Sequence, residues 1–167
     1  MSTRSNIIVK VRKEDIGKYV MFSKKRLGVE LSDWDIYGDT SEKEKAVPVK
    51  LRKNYIGVYC HCDGYPDGLG KVLLEKFNSY DSVLNLVAGG SCSSVWFDMV
   101  RRYANRKGEA WKHIQPQQTD KLEVVGGWTE WAYIFDNGKW YFGEVNEDDE
   151  ITNVGLLNDA NIENAVS

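Results

Sequence analysis

The sequence predicts an α+β domain: an antiparallel or mixed β-sheet packed against two or three helices, with a C-terminal aromatic β-hairpin. Three observations carry this. β-Branched and aromatic runs of strand length, Ile7-Ile8-Val9-Lys10-Val11 and Tyr55-Ile56-Gly57-Val58-Tyr59-Cys60-His61, stand in the first part of the chain. Leu69, Val72, Leu73 and Phe77 then recur at the spacing of one helical face. Finally, residues 131–135 and 139–145 flank Asp136-Asn137-Gly138, and Asn-Gly supplies the positive φ angles of a type I′ hairpin turn. Strands before and after a helical middle imply one sheet with helices against it.

The elements follow in order. Residues 7–11 read as the first strand. Tyr19-Val20-Met21-Phe22 has strand character, Ser23-Lys24-Lys25-Arg26 reads as a basic turn, and residues 38–46 as a mobile loop. Val47-Pro48-Val49-Lys50-Leu51 is strand-like, and Pro48 confines it to an edge. Residues 55–61 are expected to be a central strand with Val58 or Tyr59 buried. A loop over 62–67 leads into a helix from about Gly68. Ser79 or Asp81 caps a second helix with Val83, Leu84 and Val87 inward, and Gly89-Gly90 ends it. Residues 95–103 are expected to form a third helical segment. Gly126-Gly127 marks a break. Trp131, Tyr133 and Phe135 alternate with Ala132 and Ile134 as the two faces of a strand do. Glu147-Asp148-Asp149-Glu150 reads as a surface loop, and residues 159–165 as a short helix.

A chain of 167 residues is about one domain. We therefore expect a single domain over 1–167, with 146–167 as a solvated acidic C-terminal tail. Net charge is −3, unevenly spread: residues 1–54 hold 13 Lys and Arg against 8 Asp and Glu, and residues 144–167 hold seven acids and no Lys or Arg. No run approaches the roughly 20 apolar residues of a membrane span, and no secretory leader opens the chain. Three cysteines are an odd count for a disulfide framework. Together these point to the cytosol, no membrane partner, and reduced thiols without metal.

The chemistry-bearing residues concentrate in Cys60-His61-Cys62-Asp63-Gly64-Tyr65-Pro66-Asp67-Gly68, between a strand and a helix, where a rigid scaffold often presents function. Four readings compete. Cys60, His61, Cys62 and Asp63 are metal-ligand types, but consecutive strand residues point to opposite faces and the C-x₂-C spacing of zinc sites is absent. His61 with Asp63 or Asp67 is a base and its orienter, the candidate catalytic pair. Gly68-Leu69-Gly70-Lys71 opens a helix whose N–H groups attract phosphate, although the P-loop pattern is not met. Or the turn formers only fix how strand meets helix. The candidate ligand-binding residues here are Asp63, Tyr65, Asp67, Gly68, Gly70 and Lys71. A second cluster, Arg101, Arg102, Arg106, Lys107, Lys112 and His113 with Tyr103 and Trp111, mixes basic and aromatic groups as nucleotide and single-strand sites do; Arg102, Arg106 and Lys107 are its ligand candidates. The bland alternative is a solvated surface. Nucleic acid is possible and not favoured. No cofactor is implied.

Two stretches carry a family resemblance. Met1-Ser2-Thr3-Arg4-Ser5-Asn6-Ile7 and Tyr59-Cys60-His61-Cys62-Asp63-Gly64-Tyr65-Pro66, with the hairpin over 132–140, resemble a family of small uncharacterised proteins of bacteriophages and mobile elements. These open Met-Ser-Thr-Arg-Ser and carry Tyr-Cys-His-Trp-Asp-Gly-Tyr-Pro. Cys62 stands where the family has Trp. Of the family's Tyr-Gly-Arg-Asp-Arg-Gly-Glu segment, Tyr103, Gly108 and Glu109 match. Against the family's shorter path between its first two strands, residues 12–54 look like an insertion. The resemblance implies a phage-type accessory protein. We expect a non-enzymatic binding module acting on a host process, such as counter-defence, by binding a host protein or sequestering a nucleotide-like ligand. The alternatives are a small enzyme working on a phosphate-containing substrate through His61 and Asp63, and a minor virion component.

Overall fold

The structure is a computed structural model and describes residues 3–22, 48–97, 100–103 and 110–166. The fold is the expected mixed α+β architecture. Its main sheet contains β1 (Ser5–Lys10), β4 (Tyr55–Cys60), β5 (Cys92–Val95), β6 (Val100–Arg102), β7 (Gln117–Thr119), β8 (Trp131–Asp136), β9 (Lys139–Val145) and β10 (Ile151–Leu156). The order across the sheet is β10-β9-β8-β1-β4-β5-β6, with β7 pairing β4. β2 (Tyr19–Val20) and β3 (Val49–Lys50) form a separate two-stranded ribbon. It closes through Leu51, which is fully buried.

β1 lies at the middle, antiparallel to β4 and parallel to β8. Its residues explain why: Ile7 and Val9 feed one core cluster, Ile8 feeds another, and both sit at 0–1% exposure. Apolar side chains on both faces need cover on both faces. Tyr55–Cys60 is central, as expected, with Val58 buried and Tyr59 half-buried. From β4 the chain runs through a π-helical turn (Pro66–Gly70), α1 (Lys71–Lys76) and α2 (Tyr80–Ala88), then returns as β5, parallel to β4. Leu69, Val72, Leu73 and Phe77 all point into the core. Ser79 caps α2 in a reciprocal box with Ser82. That box satisfies N–H groups the first turn leaves open. The hairpin turn holds Asn137 at φ 52° and Gly138 at φ 83°, both positive as a type I′ turn requires. Trp131, Tyr133, Phe135, Trp140 and Phe142 face the helical side, and the indole of Trp140 donates to the Phe77 carbonyl at 2.7 Å.

Two expectations need correction. The helical segment expected over 95–103 gives way to strands where the structure describes it: β5 ends at Val95, and Val100–Arg102 pairs back on it as β6. The apolar residues there satisfy a strand pair, which local spacing does not distinguish from a helix. The described part of the expected 146–167 tail, up to Val166, is folded. β10 extends the sheet beside β9, and α4 (Asp159–Val166) buries Ile162 behind a buried Leu157. The acids point outward from a folded element. The basic turn at 23–26 and the loop at 38–46 lie outside the described residues. So does most of the 12–54 segment, whose described ends form β2, β3 and their flanks. No helix of the described residues is long and apolar enough to cross a membrane.

Candidate functional site

The loop after β4 is knotted into the core by its own polar atoms. His61 and Cys62 extend the parallel ladder, their N–H groups donating to Cys92 and Ser93 carbonyls at 3.0 and 2.7 Å. Asp63 then adopts φ 58°, uncommon for a residue with a side chain. Its carbonyl accepts from Leu69 N–H at 2.9 Å, and its carboxylate accepts from the Trp96 indole at 3.1 Å. Arg101 lies 4.9 Å above the Trp96 ring. Gly64 donates to the Thr3 carbonyl, and its own carbonyl receives the buried Tyr133 hydroxyl at 2.6 Å. A Cβ on Gly64 would stand 2.7 Å from the Thr3 carbonyl oxygen. Only glycine lets the loop approach β1 this closely.

The sequence-derived candidates therefore separate. Asp63 is held by Trp96, and it raises the pKa of the neighbouring Tyr65 hydroxyl, chiefly by its charge. His61 lies in the half-buried zone, its Nδ1 2.7 Å from the Tyr59 hydroxyl. His61 and Asp63 of the expected base–orienter pair thus each meet another side chain, while Asp67, the other orienter considered, is exposed. Gly68 N–H is spent on the Tyr65 carbonyl and Leu69 N–H on Asp63, so a cradle of open amides does not form there. Gly70 is buried, while Tyr65, Asp67 and Lys71 are exposed. Cys60 and Cys92 are register partners in β4 and β5, and both are fully buried. Burial pushes the Cys60 thiol well up and that of Cys92 to about 11, against the pull of Arg102. Protonated, enclosed thiols are poor ligands and poor nucleophiles. Among the described residues, no three His, Cys, Asp or Glu side chains are grouped to hold a metal ion.

Arg102 corrects the basic-cluster reading. It is fully buried, with its guanidinium 3.5 Å from the Phe22 ring centre, and is not a surface contact. Arg106 and Lys107 lie outside the described residues.

A different site emerges on the sheet face away from α1 and α2. Ile56, Val58 and Cys60 point to the helices, so Tyr55, Gly57, Tyr59 and His61 point the other way. Across this face runs the segment 125–129. Asn6 ties it down by mimicking a strand: its Nδ2 donates to the Val125 carbonyl at 2.8 Å and its Oδ1 accepts Val125 N–H at 2.7 Å. Beside this strap lies a cleft of about 320 Å³, lined by Tyr59, Ser91, Tyr103, His113, Gln115 and Gln117, with Gly126 and Gly127 at its rim. Among the described residues, no Asp, Glu, Lys or Arg lines it. Burial raises the pKa of the Tyr59 hydroxyl, and the charge of Arg4 opposes that rise. Tyr59 thus stays a neutral phenol at physiological pH, able to donate or accept.

Sequence reasoning did not find this cleft. Its lining comes from β4, the turn before β5, the residue after β6, α3 (Trp111–Ile114), the turn that follows it and β7. No local spacing links these positions. Tyr103 and His113 read in the sequence as members of the basic cluster, with nothing to set them beside Tyr59. No protein-family model, curated protein or solved structure matches the chain.

Proposed function

We propose that the protein is a phage-type accessory protein that works in a host cell's cytosol as a binding module without chemistry of its own, sequestering a nucleotide-like ligand in the Tyr59 cleft. The observation that carries this reading is the cleft's composition. Two phenol rings and an imidazole offer faces for a planar base, and Gln115, Gln117 and Ser91 offer amide and hydroxyl groups for its edge. Base–aromatic stacking is worth about 1–3 kcal/mol per base. The volume, about 320 Å³, lies at the small end of ligand pockets and suits a base rather than a large cofactor. Against an enzymatic role stands the partner of His61: a phenol, not a carboxylate, meets its Nδ1. The setting in a phage or mobile element rests on the resemblance of residues 1–7 and 59–66.

The test is calorimetry and chromatography with a panel of nucleosides and nucleotides. One member of the panel is expected to bind stoichiometrically and to be recovered unchanged. Tyr59→Ala should weaken it by about tenfold or more, in line with the loss of one stacking partner. His61→Gln should leave it bound. Turnover that His61→Gln abolishes would replace the binding module with an enzyme. Failure of the whole panel to bind would remove the ligand class.

A further inference from the structure

The strap has a second side. There, Trp128 is 83% exposed, the most exposed large apolar residue among those described. It borders a cavity of about 850 Å³ lined by Arg4, Thr129, Glu130, Asn146, Glu147 and Asp149. We propose that this cavity is a docking site for a basic segment of a partner protein, with an arginine or lysine side chain laid over the Trp128 ring.

Three independent features point to that occupant. The first is charge: three carboxylates and one guanidinium line the cavity, and the neighbouring turn adds Asp148 and Glu150. A cation is drawn in and an anion turned away. The second is the ring. An indole face in water is the best side-chain platform for a guanidinium or ammonium group. The third is a pair of polar atoms left open. Thr129 is 6% exposed, and its buried Oγ1 has no hydrogen-bond partner. The buried Nε of Arg4 also has none. Buried polar groups are ordinarily satisfied, so two orphaned ones in residues that line a cavity mark a wall that gains by turning toward a partner. A rotation of the Thr129 side chain brings its hydroxyl out as an acceptor for a guanidinium N–H. The same adjustment at Arg4 brings out a donor, which fits a peptide carbonyl. A peptide with a basic side chain supplies both complements at once, whereas a bare cation leaves the Arg4 donor unmet. Asn146 is not open: its Oδ1 already accepts from the Asp148 and Glu150 amides and shapes the acidic turn.

The experiment uses the full chain with ¹⁵N-labelled tryptophan and a synthetic dodecapeptide of alternating Arg and Gly. Trp128→Phe assigns the Trp128 indole signal. The peptide is expected to shift that signal saturably and leave the other indoles in place. An alternating Glu and Gly peptide should shift nothing, and added salt should weaken the effect. The double variant Glu147→Gln, Asp149→Asn should reduce affinity by about tenfold. Thr129→Val should reduce it several-fold, with the rest of the spectrum intact. No shift at Trp128, an equal response to the acidic peptide, or unchanged affinity in the double variant would overturn the proposal. A single-stranded oligonucleotide that moves the Trp128 signal in preference to the peptide would overturn it as well.

Discussion

Among the described residues that hold a large or charged side chain at positive φ, Asp63 at 58° and Trp128 at 65° stand in two loops that behave differently. In the first, the side chain is turned inward. Asp63 meets Trp96, Gly64 presses on β1, and Tyr133 closes over the Gly64 carbonyl. In the second, the two ends of the loop are fixed, Val125 by Asn6 and Glu130 by the Arg4 carbonyl, while between them Trp128 stands in solvent beside a buried Thr129 hydroxyl that has no partner. The comparison teaches that the part of a chain richest in reactive residue types need not be the part with buried polar groups to spare. In the loop rich in His, Cys and Asp, the Asp63 carboxylate and the Gly64 backbone are spent on holding the loop to its neighbours. The loop that reads as a plain break in the sequence is the one with groups to spare.

Three substitutions sharpen that contrast. The largest effect is expected from Gly64→Ala. The new methyl has backbone on one side and Ser5 on the other, so β1 or the loop must move. Overpacking of this kind costs about 1–3 kcal/mol, and the upper end is expected because the neighbours are the Thr3 backbone carbonyl just before β1 and the buried Ser5 side chain that opens it. Chemical denaturation of the variant checks it. Wild-type stability would show that the 62–68 loop is not the latch described.

Asn6→Ala should come next. It leaves a buried Val125 N–H and carbonyl without partners, a loss of about 2 kcal/mol. More tellingly, hydrogen exchange should quicken at Val125 and Gly126 before it does in β1 or β4. Uniform acceleration across the sheet would mean that the strap is not a separately anchored unit.

The smallest effect is expected from Trp128→Ala. An 83% exposed ring contributes little packing, so stability should stay within about 0.5 kcal/mol of wild type. A large drop in melting temperature would place Trp128 in the fold rather than on its surface.

The parts of the fold that were legible in sequence are those set by near neighbours. Ser79 and Ser82 sit three residues apart and make their cap together. Asn137-Gly138 makes its turn whatever surrounds it. Leu69, Val72, Leu73 and Phe77 share a stripe by spacing alone. What was not legible depends on distant partners. Val95 and Val100 become strand because β5 finds β4 across two helices. Arg102 carries a charge that reads as surface, and it is buried because β6 turns it inward beneath Phe22. The acids of 144–163 suggested solvent, but Leu157 and Ile162, two apolar residues among them, decide that the segment folds. The Tyr59 cleft is the extreme case, since Tyr59, Tyr103 and Gln117 meet only after the sheet has formed.

The central place of β1 also governs how the chain emerges from a ribosome. Its antiparallel partner β4 arrives early, but its parallel partner β8 begins at Trp131. At about 5–20 residues per second, the roughly 120 residues between β1 and β8 take some 6–24 seconds to make. Throughout that interval one edge of Ile7-Ile8-Val9 has its backbone groups unmatched, and an open apolar edge is a template for pairing with other chains. The strand that organises the finished molecule is therefore the one most exposed to error while the molecule is being built.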